Sequence, residues 1–186
     1  MRDEVTSFAV KRGDLVLDMG SGPGTLSRVV AGAGGRPVLL DVSRSMLKSA
    51  PFPDRVLGSF EHLPFRDGCF DGVVSGFAVR DSFDLGSALT QVKRVLRKDG
   101  RFAFCDLGKP HSALKSTALA YYLRTIPNLI GLATAGRNGL RYGSLFVTYM
   151  LVLDNAELLR VLSSLFEGAS LHEMQLGGAI VAKCIR

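Results

Sequence analysis

The segment Leu15-Val16-Leu17-Asp18-Met19-Gly20-Ser21-Gly22-Pro23-Gly24-Thr25 constrains the fold more than any other part of this 186-residue chain. A short apolar run ends in an acid, a G-x-G-x-G turn follows, and the turn opens into a helix-period segment. Glycine alone reaches left-handed backbone angles freely, so the turn reverses the chain sharply and leaves bare backbone for a ligand. The spacing excludes two familiar loops. The dinucleotide pattern G-x-G-x-x-G needs glycine at position 25, which is Thr25, and a P-loop needs a Gly-Lys-Ser/Thr ending, which is absent. Instead Asp18 precedes Gly20 by two residues, where a carboxylate would repel a pyrophosphate and attract a cation. Asp41 ends the second apolar run, 21 residues after Gly20, where a ribose-binding acid belongs.

Similar short apolar runs recur along the chain. Leu15–Met19, Val38–Val42, Arg55–Ser59, Phe70–Ser75 and Arg101–Leu107 read as strands buried on both faces of a parallel sheet. Helix-period segments alternate with them: Thr25–Ala31, Ser45–Ala50 and Leu85–Leu96, the last with Ala88, Leu89, Val92, Val95 and Leu96 on one stripe. Asp84 is placed to cap that helix, and Lys98-Asp99-Gly100 to end it with Gly100 in the left-handed position. This alternation predicts an α/β fold with a doubly wound, mostly parallel sheet. After Lys109-Pro110 the texture changes. The segment 111–153 is rich in apolar and aromatic residues, and Pro127 with glycines 131, 136, 139 and 143 predicts its division into short helices, a small cap inserted ahead of the last elements. Asp154 then caps a helix over 155–166, and the chain closes in a hairpin about Gly177-Gly178, an antiparallel end to the sheet. At about 150 residues per domain, 1–186 forms one domain.

A net charge of +6 makes anionic partners plausible: a phosphorylated ligand, nucleic acid or a membrane surface. Three cysteines, at 69, 105 and 184, offer neither a zinc pairing nor a disulfide framework, which suits a reducing cytosol, and no metal site is expected. The opening residues lack an apolar signal core, and no run of about 18 uncharged apolar residues could span a bilayer. The expectation is a cytoplasmic protein, with peripheral membrane contact through 111–153 open.

The loop from Asp18 to Gly24 resembles motif I of the class I S-adenosylmethionine-dependent methyltransferases. Downstream, Leu63-Pro64-Phe65, Phe70-Asp71, Gly76-Phe77-Ala78-Val79-Arg80-Asp81, Val95 to Arg101, Leu107-Gly108-Lys109-Pro110 and the closing Gly177 to Ala182 resemble the UbiE-type ubiquinone/menaquinone-biosynthesis C-methyltransferases. The resemblance spans roughly 13–186. It implies a Rossmann-like class I methyltransferase fold, S-adenosylmethionine as cofactor, and C-methylation of a demethylated quinone precursor or a similar apolar aromatic. It further implies that Asp18, Gly20, Ser21, Gly22 and Thr25 hold the methionine end and that Asp41 takes the ribose. Val42 and Met46 would lie beside the adenine, Ser59 and Phe60 at its edge, and Gly76 and Phe77 under the sulfonium. The chain departs from the family in three places. Ser59-Phe60 stands where the family has Asp or Asn followed by Ala, and Asp81 replaces an Asn. About a dozen residues precede the first strand, where the family has several helices that close the site.

Carbon methylation on a quinol ring is aided by a cation that stabilises the ring phenolate, and Arg80, just past the fourth strand at the carboxyl edge of the sheet, is the candidate. Arg80 could instead pair at the surface with Asp81 or Asp84. His111 and Asp81 are the candidate bases; His62 and His172 have no assignment. In the cap, Tyr121, Tyr122, Leu123, Ile126, Leu129 and Ile130 are either helix-period core or the wall of an apolar groove, or they sit on a membrane with Lys115, Arg124, Arg137 and Arg141 toward headgroups. Open alternatives are a methyltransferase for another small molecule, a cofactor-binding subunit whose lid a partner supplies, and a homodimer. Charge alone suggests RNA. However, the N/D-P-P-Y/F segment is missing and Cys69 and Cys105 do not resemble a paired-cysteine site, so nucleic acid is not expected.

Overall fold

The computed structural model describes the backbone of residues 1–135 and 143–186, and the side chains of 1–126 and 146–186. Five parallel strands, β1 (Leu15–Met19), β2 (Arg36–Asp41), β3 (Arg55–Leu57), β4 (Phe70–Gly76) and β5 (Leu96–Leu107), are followed by β6 (Gly168–Met174) and β7 (Ala179–Ile185). Their order in the sheet is β3-β2-β1-β4-β5-β7-β6, with β7 antiparallel to both neighbours. The order reverses between β1 and β4. Crevices at such a switch point, outside the carboxyl ends of the strands, are where open α/β sheets bind ligands.

Alternate residues of each strand face opposite layers. Val16, Val74, Ala103, Cys105 and Val181 pack under α1 (Arg2–Ala9) and α2 (Thr25–Gly32). Leu17, Val73, Phe102, Phe104 and Ile180 pack under α4 (Leu85–Val95) and α7 (Asn155–Leu165). The short α3 (Arg44–Ser49) covers Leu39 through Leu47. Asp84 and Asp154 cap α4 and α7 as their positions predict, and Asp154 forms a full capping box with Glu157.

Several sequence expectations are corrected. Helix α1 lies where no element was expected; it buries Val5 and Ala9 completely and approaches β4 so closely that a Cβ on Gly72 would sit 2.5 Å from the Ala9 carbonyl oxygen. Glu4 ties α1 to the far edge of the sheet, accepting from Lys183 Nζ at 2.9 Å and pairing with His172 Nδ1 at 3.2 Å. Strand β5 begins directly after α4, and the left-handed residue of that turn is Asp99 (φ 59°) rather than Gly100. Gly100 is required for space, since its Cβ would meet the Arg97 carbonyl oxygen at 2.8 Å. The last hairpin turns over Gln175, Leu176 and Gly177, all at positive φ, and β6 starts earlier than the expected segment.

The cap also differs. Helix α5 (Ala113–Ala135) is one helix of 23 residues running through Pro127 and Gly131, and α6 (Gly143–Leu151) packs against it. A proline deletes one helical hydrogen bond, and turns of good helix formers on either side carry the run past it. The expected breaks at Gly136 and Gly139, the cations Arg137 and Arg141, and the side chains of Leu129 and Ile130 lie outside the described residues. Of the cap's expected core residues with described side chains, only Leu123 is buried; Tyr121, Tyr122 and Ile126 are exposed.

Candidate active site

The site grows from the glycine loop. Gly20, Gly22 and Gly24 all take positive φ, and the Gly20 and Ser21 amides donate to the Leu40 carbonyl at 2.8 and 3.1 Å, pinning the loop to β2. Gly20 has a second reason to be glycine: a Cβ there would lie 2.3 Å from Ala78 Cβ and 3.0 Å from the Phe60 ring. Thr25 opens α2 next to the left-handed Gly24, and Ser21 Oγ is buried without a partner among the described residues.

Asp18 is fully buried. Its Oδ2 accepts from Ser27 Oγ at 2.5 Å, while Oδ1 has no hydrogen-bond partner among the described residues. Burial, against the Ser27 bond, lifts its pKa to about 6. A buried carboxylate with an orphaned oxygen is an expensive arrangement that a cation would relieve.

Asp41 braces the other side of the crevice. Its Oδ2 accepts from the Gly22 amide and its Oδ1 from the Ser43 amide, both at 2.8 Å. Two backbone bonds fix the carboxylate plane and still leave lone pairs free, since a carboxylate offers about four acceptor sites. Around it stand apolar side chains in water: Val42 is 67% exposed, Met46 48% and Leu57 50%. Leu57, at the end of β3 and level with Asp41, is a lining residue the sequence did not single out. Ser59 precedes the short helical turn that carries Phe60, whose ring covers Gly20.

Beyond β4, Phe77 adopts φ 60°, a region disfavoured for side chains other than glycine, and holds it through its amide bond to the Cys105 carbonyl. The strained residue is thus Phe77 and not Gly76, whose φ is ordinary. The Arg2 guanidinium of α1 lies 5.8 Å from the Phe77 ring centroid, so the unexpected helix reaches the site.

Arg80 is held by a residue the sequence analysis did not name. Asp106, 2% exposed near the end of β5, accepts from Arg80 Nη1 at 2.5 Å and from the Arg80 backbone amide at 3.0 Å. Asp81 Oδ1 is farther, at 3.7 Å from Arg80 Nε, and Asp81 is mostly exposed. The alternative surface pairing of Arg80 with Asp81 is thus present, beside a closer and largely buried ion pair with Asp106. Burial raises the Asp106 pKa despite the neighbouring guanidinium. The pair forms part of the floor of a cleft of about 380 Å³ whose apolar walls include Val79, Phe83, Leu107, Leu151, Leu153 and Leu158. His111 lies elsewhere: its side chain is three-quarters exposed and bonds Asp154 at the head of α7 through Nδ1 at 3.0 Å. The structure brings Asp18, the glycine loop, Asp41 and Phe77 to one edge, with Arg80 beside them, and leaves His111 outside the cleft.

Comparison with known proteins agrees with this geometry. Residues 17–104 match the methyltransferase domain family. The ubiquinone/menaquinone biosynthesis C-methyltransferase UbiE of Escherichia coli O1:K1 is 34% identical over 156 residues, covering 76% of this chain and 62% of that protein. Demethylmenaquinone methyltransferase of Mycolicibacterium vanbaalenii is 35% identical over 117 residues, 61% of this chain and 51% of the relative. The chain thus spans between half and two thirds of the length of these curated relatives. Among solved structures, a chain from the Haloferax volcanii complex of the Trm112 methyltransferase activator with a putative methyltransferase superposes with TM-score 0.70 over 98% of this chain and 87% of that one, at 18% identity, a likeness of fold. In sequence the chain is similar to the UbiE-type C-methyltransferases, and in fold to methyltransferases of known structure.

Proposed function

We propose that this chain is an S-adenosylmethionine-dependent methyltransferase acting on a ring carbon of a demethylated quinone precursor or a similar apolar aromatic. One observation carries the reading: the left-handed glycine loop, the orphaned oxygen of Asp18 and the doubly braced Asp41 converge at the switch point between β1 and β4. These residues fit the cofactor. Asp18 supplies negative charge for an ammonium, Gly20 a surface where any Cβ would intrude, Asp41 acceptors for two ribose hydroxyls, and Val42, Met46 and Leu57 apolar faces for a base. When bound, S-adenosylmethionine supplies a methyl group already activated for in-line displacement, so the protein's part is alignment and exclusion of water.

The cleft that Arg80 lines gives an apolar acceptor its walls. Arg80 lines the same cleft, and its bonds to Asp106 fix the rotamer of its guanidinium. A fixed cation there would stabilise a developing phenolate, and prior orientation is what makes such a contact effective in the transition state. The names of the relatives, quinone C-methyltransferases, support this substrate class.

The test is calorimetry with S-adenosylhomocysteine and, separately, NAD, followed by radiomethyl transfer to a short-tailed demethylmenaquinol. Binding of S-adenosylhomocysteine alone and label in the quinol support the reading. NAD binding without S-adenosylhomocysteine binding overturns the cofactor, and transfer only to non-quinol acceptors overturns the substrate. A second reading, a subunit whose site a partner completes, is favoured by the mouth of the cleft, where Phe83 is 97% and Leu151 81% exposed. Activity of the purified chain alone excludes it.

A further inference from the structure

A helix resting on a globular body normally turns its polar face to water. Helix α5 carries apolar side chains on its outer side as well as its inner one. Its inner side is set by Leu123, 7% exposed, by Leu119 against Gly178 and by Ser116 bonded to Tyr149 of α6. The outer side carries Leu114 at 82% exposure, Tyr121 at 71%, Tyr122 at 50% and Ile126 at 36%. At roughly 100° per residue these four fall on one stripe. Lys115 lies within that stripe, between Tyr122 and Ile126, and Arg124 lies beyond its Tyr121 edge, over the Phe146 ring of α6. Helix α6, packed against α5, adds exposed Val147, Met150 and Leu151.

We infer that this outer face of α5 and α6 docks the protein on an anionic bilayer, lying in the interface rather than crossing it. An exposed apolar face that carries cations and no acid suits an interfacial helix, and tyrosines suit the headgroup boundary because one end is apolar and the other wet. Charge selects the occupant. Of the 17 acidic residues in the chain none lies between 111 and 153, while Lys115, Arg124, Arg137 and Arg141 all do. The described cations of this segment, Lys115 and Arg124, therefore suit a lipid leaflet of opposite sign. No helix among the described residues is long and apolar enough to cross a membrane. Leu151 belongs both to this surface and to the lining of the cleft, so a lipophilic acceptor could pass from hydrocarbon to the site along apolar surface. That last step rests on the methyltransferase reading; the docking does not.

Flotation of the purified full chain with vesicles tests it, using pure phosphatidylcholine and an equal mixture with phosphatidylglycerol. The expected result is recovery with the anionic vesicles, at least tenfold less with phosphatidylcholine or at 0.5 M salt, the concentration chosen to screen exposed charges. The variant Tyr121→Ser/Tyr122→Ser should lose at least tenfold of that binding, and Lys115→Glu several-fold, both with unchanged S-adenosylhomocysteine affinity. Absence of the wild type from both vesicle types overturns the inference, as does wild-type binding by the tyrosine variant. A salt-insensitive dimer in sedimentation velocity that the tyrosine variant dissociates, without vesicle binding, assigns the face to a second copy and overturns it too. Calorimetry with S-adenosylhomocysteine in the same preparations keeps this outcome separate from failure of the enzymatic reading.

Discussion

The buried carboxylate of Asp18 should make cofactor binding depend on pH in one direction. The group titrates at about 6 in the folded chain against 3.8 as an ordinary aspartate, because burial disfavours its charge. A raised acid holds its proton more tightly folded than unfolded, so the folded state gains from it at low pH and loses that gain as pH climbs from about 4 to about 6. Above that window the ionised, half-partnered carboxylate costs up to about 3 kcal/mol, from two pH units at about 1.4 kcal/mol each. A bound ammonium reverses the balance. The α-amino group of the ligand is charged throughout pH 5–7, since such groups titrate near 8. Ligand binding should therefore expel the proton of Asp18 and strengthen as pH rises. If the complex returns the carboxyl to its ordinary range, the dissociation constant of S-adenosylhomocysteine should fall about tenfold between pH 5 and pH 7 and level off above, because only the ionised fraction binds well. Asp18→Asn keeps an acceptor for Ser27 but no titration, so its affinity should be weaker at pH 7.5 and flat from pH 5 to 7. Calorimetry in buffers of differing ionisation enthalpy reads both the affinity and the released proton. A flat wild-type profile, or an Asn variant that retains the slope, refutes the reasoning.

Other perturbations separate the parts of the site. Gly20→Ala forces a side chain into left-handed backbone and against Ala78, for a cost of about 2–4 kcal/mol in thermal unfolding, with weaker S-adenosylhomocysteine binding; a wild-type melting temperature would show that the loop simply shifts. Arg80→Ala strands Asp106 as a buried charge, a loss of about 3–5 kcal/mol in urea unfolding, and adding Asp106→Asn should recover part of it. Arg80→Lys keeps a charge but not the planar fork, so kcat should fall at least tenfold with little change in cofactor affinity. Gly72→Ala would push α1 off β4, speeding hydrogen exchange of α1 amides while changing S-adenosylhomocysteine affinity less than threefold.

The parts of this protein that could be read from the sequence are those whose physics is local. A strand, three glycines and a helix lie close together in the chain, and each glycine takes a positive φ, so the loop was legible in the sequence. Helix α4 announced itself through one apolar stripe and a capping aspartate. Helix α1 did not, because two core positions, Val5 and Ala9, are too few to establish a period. The cap misled for a different reason. In a helix that is apolar nearly all round, periodicity shows no contrast between faces, and which side goes inward is decided by what the helix packs on, here Gly178 and Tyr149.

The ion pair at the cleft shows the same limit at the chemical centre. Arg80 was legible as a cation just past β4, but Asp106 sits inside a run that reads as a continuous buried strand, and its partner lies 26 residues upstream. Only the parallel register of β4 and β5, with Gly76 opposite Cys105, brings the two together. Asp18 and Asp106 then occupy matching positions, each next to last in its strand at the carboxyl edge, and burial raises the pKa of both. They face opposite layers of the sheet: Asp18 bonds Ser27 of α2, whereas Asp106 lines the cleft with Phe104 on the α4 and α7 side. Asp106 has its cation built into the chain, and the cleft that the pair lines has apolar walls. Asp18 keeps one oxygen without a partner, so its end is short of a positive charge that the chain does not provide. Under the proposed function, the cationic ligand would sit at the glycine loop and the apolar acceptor on the Arg80 side.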